Sequence, residues 1–302
     1  MCLYFRLDGG VLLGVGVYVD DLLVTGTKQA AVDTFFGELT SLSVKDLGCA
    51  HKFLGMRILY DDLGGYSLDQ EVMITDLLKE HGMEHAHGVR TPIGEDSNEC
   101  ARKDAVLLSS IRNDCLGLSI ASGQPAMASE VHEAGYSFCR SQGNAKLDRM
   151  VGCSDADFAA DKQDRKSVTG GFITIDGMVV AWICRKQGGV ALSTMEAEYT
   201  AASVVSQEIM GLREMLNELG VPLMVPMPLR IDNQAAIQQL CGERASSKAK
   251  HIDTRIKFVN HFAKSGVLLP EYCEGKSMPA DSLTKALSTP RLRDRRGMLG
   301  LS

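Results

Sequence analysis

The chain has 302 residues, 45% hydrophobic and 23% charged, a balance that excludes a disordered polypeptide and fits about two folded domains. No run approaches the roughly eighteen apolar residues that a membrane-spanning helix needs. A net charge of −6 argues against a protein that coats nucleic acid by bulk electrostatics, yet leaves room for an enzyme that gathers carboxylates around metal ions.

Near the start, the apolar run 11–19 has no basic segment before it and no small-residue cleavage site after it, so no signal peptide is expected. Residues 14–25 read as strand, tight turn and strand: Val15, Val17 and Val19 alternate, and Asp20–Asp21 turn the chain. A helix is expected over 27–39 and short strands over 51–59 and 65–68. An amphipathic helix follows over 70–81, with Val72, Ile74, Leu77 and Leu78 inward and Gly82 ending it. His81, His85 and His87 form a tight group, but without cysteine partners they read as a solvated helix end. The nine cysteines are odd in number, scattered and free of CxxC pairs, which fits reduced, mostly buried thiols in a cytosolic or nuclear protein. Residues 93–149 have Gly, Ser and Pro breaks and weak periodicity, and read as an irregular connector.

Beyond residue 149 the pattern is clean. Strands are expected over 150–154, 170–175 and 178–184, the last two joined by Asp176–Gly177, a strong two-residue hairpin signal. A long helix over 193–219 ends at Gly220; a strand over 228–231 feeds a helix over 234–240. A helix over 251–264, a strand over 267–272 and a final helix from about Pro279 complete the order. Three antiparallel strands followed by alternating helices and strands describe an α/β layer on a mixed sheet. The tail 289–302, with Arg291, Arg293, Arg295 and Arg296, reads as a solvated basic end.

Hydrolysis of a phosphodiester by two divalent metals needs carboxylates converging from different elements. Asp155 stands at the end of the first strand of this region and Asp232 at the end of the fourth; taken singly, each reads more readily as a turn or helix-cap acid than as a metal ligand. Glu198 is more telling. It continues the stripe Ala201, Ala202, Val205, Ile209, Leu212, Leu216 at spacings of three and four, so it lies on the core-facing side of the long helix, where an ionised acid needs a compensating charge. Its neighbour Glu196 belongs to a capping box with Ser193 as N-cap. Asp281 falls in the first turn of the last helix, a place the helix dipole favours for any acid.

These motifs, in this order, resemble the ribonuclease H domain of copia-type LTR-retrotransposon Pol polyproteins. The resemblance rests on Ser154-Asp155-Ala156-Asp157-Phe158-Ala159, Asp164-Arg165-Lys166-Ser167 with Thr169–Gly170, and Trp182. It continues through Leu192-Ser193-Thr194-Met195-Glu196-Ala197-Glu198-Tyr199, Asp232-Asn233-Gln234-Ala235-Ala236, Lys250-His251-Ile252-Asp253 and Ala280-Asp281-Ser282-Leu283-Thr284-Lys285. It implies a ribonuclease H-like α/β fold, a mixed five-stranded sheet with flanking helices, over residues 150–288. It also implies a Mg²⁺-dependent site, with Mn²⁺ as a substitute, at Asp155, Glu198, Asp232 and Asp281. The expected partner is an RNA–DNA hybrid, met by Lys248, Lys250 and His251, although His251 reads equally as a helix-start residue packing locally. No membrane partner is expected; the rest of a Pol polyprotein or a second reverse-transcriptase subunit is. The implied location is the cytoplasm, within a virus-like particle, or the nucleus.

Residues 1–92 resemble the same polyprotein's reverse transcriptase, as a partial palm and thumb. Tyr18-Val19-Asp20-Asp21 with Leu22-Leu23-Val24-Thr25-Gly26 looks like the palm hairpin whose two acids bind metal, and Phe53-Leu54-Gly55-Met56 like the strands after it. The family draws a third acid and the fingers from further upstream, and this chain starts after both, so polymerisation by it alone is not expected. Residues 104–147 lack the family's connecting pattern, as a shifted reading frame or local decay would leave them. An inactive nucleic-acid-binding remnant is therefore the non-enzymatic alternative.

Overall fold

The computed structural model describes residues 2–60, 66–85, 136–138, 149–242 and 250–299. In the N-terminal part, β1 (Cys2–Asp8), β2 (Val11–Tyr18) and β3 (Asp21–Gly26) form an antiparallel sheet in that order. The hairpin expected over 14–25 is present, but it turns at Val19 and Asp20, with Val19 at φ 51°, and Asp21 already pairs with Tyr18. The strand β1 was not foreseen. It is an edge strand exposed along its whole length, so no alternation of inward and outward residues marks it.

Helix α1 (Gln29–Glu38) follows, then β4 (Lys52–Phe53), β5 (Met56–Tyr60) and β6 (Tyr66–Asp69). The single strand expected over 51–59 is two, because Leu54 and Gly55 take positive φ and reverse the chain between Phe53 and Met56. Helix α2 (Glu71–Glu80) buries Ile74 fully and Val72, Leu77 and Leu78 only in part. Arg57 braces its start, with Nε 3.0 Å from Asp69 Oδ1 and a further ion pair to Glu71. Most of the expected connector lies outside the described residues. Within it, β7 (Tyr136–Phe138) pairs antiparallel with β6.

The C-terminal part is built on β8 (Met150–Asp157), β9 (Val168–Ile175) and β10 (Met178–Lys186), then α3 (Thr194–Glu218), β11 (Met227–Ile231), α4 (Gln234–Cys241), α5 (Lys250–Lys264), β12 (Leu268–Tyr272), α6 (Asp281–Thr284) and α7 (Thr289–Met298). The sheet order is β10-β9-β8-β11-β12; the first three strands are antiparallel, and β11 runs parallel to both β8 and β12. This is the mixed five-stranded sheet the resemblance implied. Asp176 and Gly177 both take positive φ, the two-residue turn whose twist matches its flanking strands.

Consecutive strand residues face opposite sides of a sheet, and two adjacent glycines show what lies on each side. A β-carbon on Gly171 would come within 2.5 Å of Val205 on α3; one on Gly170 would come within 2.6 Å of Thr284 on α6. Both layers thus touch the backbone of β9 directly. On the α3 side, Met150, Ile173, Val205, Ile209, Leu229 and Ile231 are fully buried, each contributing about 1.5–3 kcal/mol of burial. The tail expected to be solvated is instead the helix α7, with Leu292 and Arg295 buried. Its charge pattern concealed an inward face. Among the described residues, no helix is long and apolar enough to cross a membrane.

Candidate metal centre

Register explains why two of the acids meet. Ser154 on β8 is the pairing partner of Ile231 on the parallel strand β11, so Asp155 and Asp232, each one residue further on, leave neighbouring strands at the same end. Glu198 lies in the second turn's approach of α3, whose side chains tilt back toward the helix start and so down toward that strand end. The start of α3 is held in two ways. Ser193 Oγ accepts from the Glu196 N–H at 3.1 Å, and Gln187 donates to the Ala197 carbonyl at 3.0 Å and to Thr169 Oγ1 at 3.1 Å. The capping box expected here is present with one change: the Glu196 carboxylate accepts from the Leu192 N–H, one residue before the cap.

One carboxylate oxygen each from Asp155, Glu198 and Asp232 lies within 4.8 Å of the others. Asp281, the first residue of α6, joins them through Lys285, whose Nζ is 2.6 Å from Asp281 Oδ1, 2.9 Å from Asp155 Oδ1 and 4.0 Å from Asp232 Oδ2. The Thr284 hydroxyl donates to Asp155 Oδ2. Asp155, Glu198 and Asp281 are buried and Asp232 is half-buried.

The electrostatics record the crowding. Burial, then the charges of Asp155 and Asp232, push the Glu198 carboxyl up to about 9. Burial and the neighbouring Asp155 also raise Asp232 and Asp157. Burial alone would lower Lys285, but Asp155 and Asp281 outweigh it and the ammonium is held more firmly than usual. Among the described residues, Glu198 Oε2 is buried without a hydrogen-bond partner.

That orphaned oxygen, beside two more carboxylates within ligand-sharing distance, fits a divalent cation. An all-oxygen set suits Mg²⁺ or Mn²⁺ better than a metal preferring sulfur or imidazole. The arrangement can therefore gather positive charge and present it, past the half-exposed Asp232 and Lys285, to an anionic substrate.

Of the residues singled out in the sequence, Asp155, Glu198 and Asp232 come within ligand-sharing distance of one another, whereas Asp281 lies outside that group and is linked to Asp155 by Lys285. Asp20 and Asp21 are exposed at the β2–β3 turn, and no third carboxylate joins them among the described residues. Lys248 lies outside the described residues, as does His87; Lys250 and His251 open α5, their side chains likewise outside them. His85 is exposed, but His81 is half-buried with Nε2 out of water and unpartnered among the described residues, so the helix end is not solvated throughout. Nor are the cysteines mostly buried, because among the described ones only Cys153 is. Sequence reasoning gave no role to Lys285, Thr284 or Gln187. For Lys285 a signal existed: it stands four residues after Asp281, the spacing that brings an acid and a base together on a helix.

A family model described as "Reverse transcriptase (RNA-dependent DNA polymerase)" matches residues 1–95. The chain is 28% identical to the retrovirus-related Pol polyprotein from transposon TNT 1-94 of Nicotiana tabacum, over 95% of this chain and 24% of that protein. It is 27% identical to the retrovirus-related Pol polyprotein from transposon RE1 of Arabidopsis thaliana, over 95% of this chain and 21% of that protein. It thus spans less than a quarter of the length of these relatives. Among solved structures, LC11-RNase H1, isolated from compost, aligns with a TM-score of 0.35 at 15% identity, covering 45% of this chain and 93% of that one.

Proposed function

We propose, from the likeness to retrotransposon Pol polyproteins and the clustered acids, that residues 150–288 hydrolyse the RNA strand of RNA–DNA hybrids, using divalent metal held by Asp155, Glu198 and Asp232 together with Asp281. One observation carries the reading: three acids far apart in sequence share a space of 4.8 Å, one of them with a buried, unpartnered oxygen. Lys285 offsets the charge of Asp155 and Asp281, but the buried Glu198 oxygen still lacks a partner, a cost on the order of 1–3 kcal/mol that a bound cation would remove.

When bound, the metal supplies a Lewis acid that activates water and neutralises charge building on the phosphate. Asp155, at the centre, is oriented by Thr284 and Lys285, so both its oxygens are directed. The raised affinity of Glu198 for its proton favours the neutral acid in the metal-free site, and a cation held there would take the carboxylate form as its ligand. Lys285, partly exposed, balances part of the acids' charge and would be able to meet a phosphate oxygen from the solvent side. Recognition of the hybrid would rest on backbone shape and the 2′-hydroxyl, with Lys248, Lys250 and His251 bordering it. Mg²⁺ is the proposed ion, Mn²⁺ its substitute, and the cytoplasm or nucleus the proposed location.

A gel assay on a labelled RNA–DNA hybrid, with single-stranded RNA as control, tests the proposal. Asp155→Asn and Glu198→Gln should each reduce Mg²⁺-dependent cleavage by on the order of 10³-fold or more while the circular dichroism spectrum is kept. Cleavage retained by either variant refutes the assignment. The match of residues 1–95 favours a second reading, DNA polymerisation through Asp20 and Asp21. That reading needs a further acid from elsewhere, and primer extension by the purified chain would establish it.

A further inference from the structure

Leu292, Arg295 and Leu299 stand three and four positions apart and are all buried, whereas Arg291 and Arg293 on the same helix are exposed. Arg295 is only 2% exposed. A guanidinium taken out of water needs its donors filled, and a leucine would serve packing alone at less cost. Arg295 Nη2 donates to the Gly275 carbonyl at 2.9 Å and Nη1 to the Lys276 carbonyl, while Nε is buried without a hydrogen-bond partner among the described residues. The same Nη2 lies 3.8 Å from Asp281 Oδ2, the oxygen opposite the one that Lys285 holds.

The turn it grips is next to the second ligand. A β-carbon on Gly275 would lie 3.7 Å from Asp232 Oδ2, so the segment Gly275–Ser277 backs that carboxylate. Met278 and Ala280, which link this turn to Asp281, are fully buried and belong to one cluster with Leu299. One side chain on α7 therefore reaches both the support of Asp232 and the carboxylate of Asp281.

We propose that Arg295 is a positioning residue for the metal centre, holding Asp281 and the Gly275–Ser277 turn in the orientation that lets Asp281 and Asp232 share a cation. The inference rests on the reading of the four acids as metal ligands. It makes α7, read from sequence as a loose basic end, a working part of the site.

The test is Mn²⁺ titration calorimetry on the full chain, with thermal melts in chelator, for the wild type, Arg295→Met, Arg295→Lys, Leu292→Ala and Asp232→Asn. Arg295→Met should weaken Mn²⁺ binding about tenfold to a hundredfold, the usual effect of losing a group that orients a ligand. Arg295→Lys should recover part of the loss. Leu292→Ala, which loosens the same helix without touching its charge, should lower the melting temperature in chelator and leave Mn²⁺ affinity unchanged.

Wild-type affinity in Arg295→Met overturns the proposal. So does an equal loss in Leu292→Ala, or failure of both Arg295 variants to fold in excess Mn²⁺, since either makes the role one of packing. A wild type that binds no Mn²⁺, or an Asp232→Asn variant that binds it normally, strikes instead at the four-acid reading itself.

Discussion

Two sets of acids in this chain have opposite surroundings. Asp20 and Asp21 project from an exposed hairpin turn, while Asp155, Glu198 and Asp281 are buried against a sheet that α3 covers on one face and α6 approaches on the other. The packing around them differs in the same sense. Among the described residues of the N-terminal part, Leu13, Val15, Ile58 and Ile74 are the buried hydrophobic side chains, and β1 leaves Leu3, Tyr4, Phe5 and Leu7 exposed. In the C-terminal part an extended core runs from Met150 through Val205 and Leu229 to Leu268. A carboxylate in water needs nothing and controls little. Carboxylates crowded in a dry corner must recruit a cation, and a core is what keeps that corner dry.

The sharpest way to break this contrast is in the core. Ile209→Ala should destabilise the C-terminal part by about 2–5 kcal/mol in urea melts, because the side chain is fully buried and α3 lies against the backbone of β9. A loss below 1 kcal/mol, on the order of a surface change, would mean that the core is not what supports the acids. Next comes Lys285→Met. Without metal it leaves Asp155 without its ion pair and Asp281 with Arg295 alone, and should cost about 1–2 kcal/mol, a figure reduced for the partial exposure of the ammonium. Mn²⁺ should restore most of it, and equal losses in chelator and in Mn²⁺ would show that Lys285 and the cation do not serve the same charge.

The third is a pH profile. Glu198 is raised from 4.5 to about 9 in the folded chain, so the folded state binds its proton more tightly than the unfolded state does. Metal-free stability from this group is therefore complete below about 4.5 and falls as pH rises toward 9, and Glu198→Gln should flatten that slope. A slope unchanged in the variant would remove Glu198 as its source. The smallest effect is expected at the other end of the contrast: Leu7→Ala on β1 should change stability by no more than about 0.5 kcal/mol. A larger loss would mean that β1 is covered in solution.

Much of the site was legible because local rules and tertiary structure agree there. Glu198 continues an apolar stripe and is indeed buried; Asp155 and Asp232 end strands, and parallel register brings those ends together. The Asp176–Gly177 turn was legible for the same reason, since its chemistry is contained in two residues. Three features were not. The strand β1 has no buried face to impose a period. The linking role of Lys285 depends on α6 lying within reach of β8, a tertiary fact. Arg295 was hidden by its own charge: among four arginines in six residues, only the three-and-four spacing to Leu292 and Leu299 marks it as inward.

The four acids come from the ends of β8 and β11 and the starts of α3 and α6. An ion shared among them would act as a clasp on the fold, lacing its opening strand to one of its last helices. Opening any one of these elements would release the ion, so each free-energy gain from binding, RT ln(1 + [L]/Kd), is spread over the whole C-terminal part. A protease should then find fewer openings in Mn²⁺ than in chelator, even at bonds remote from the acids themselves.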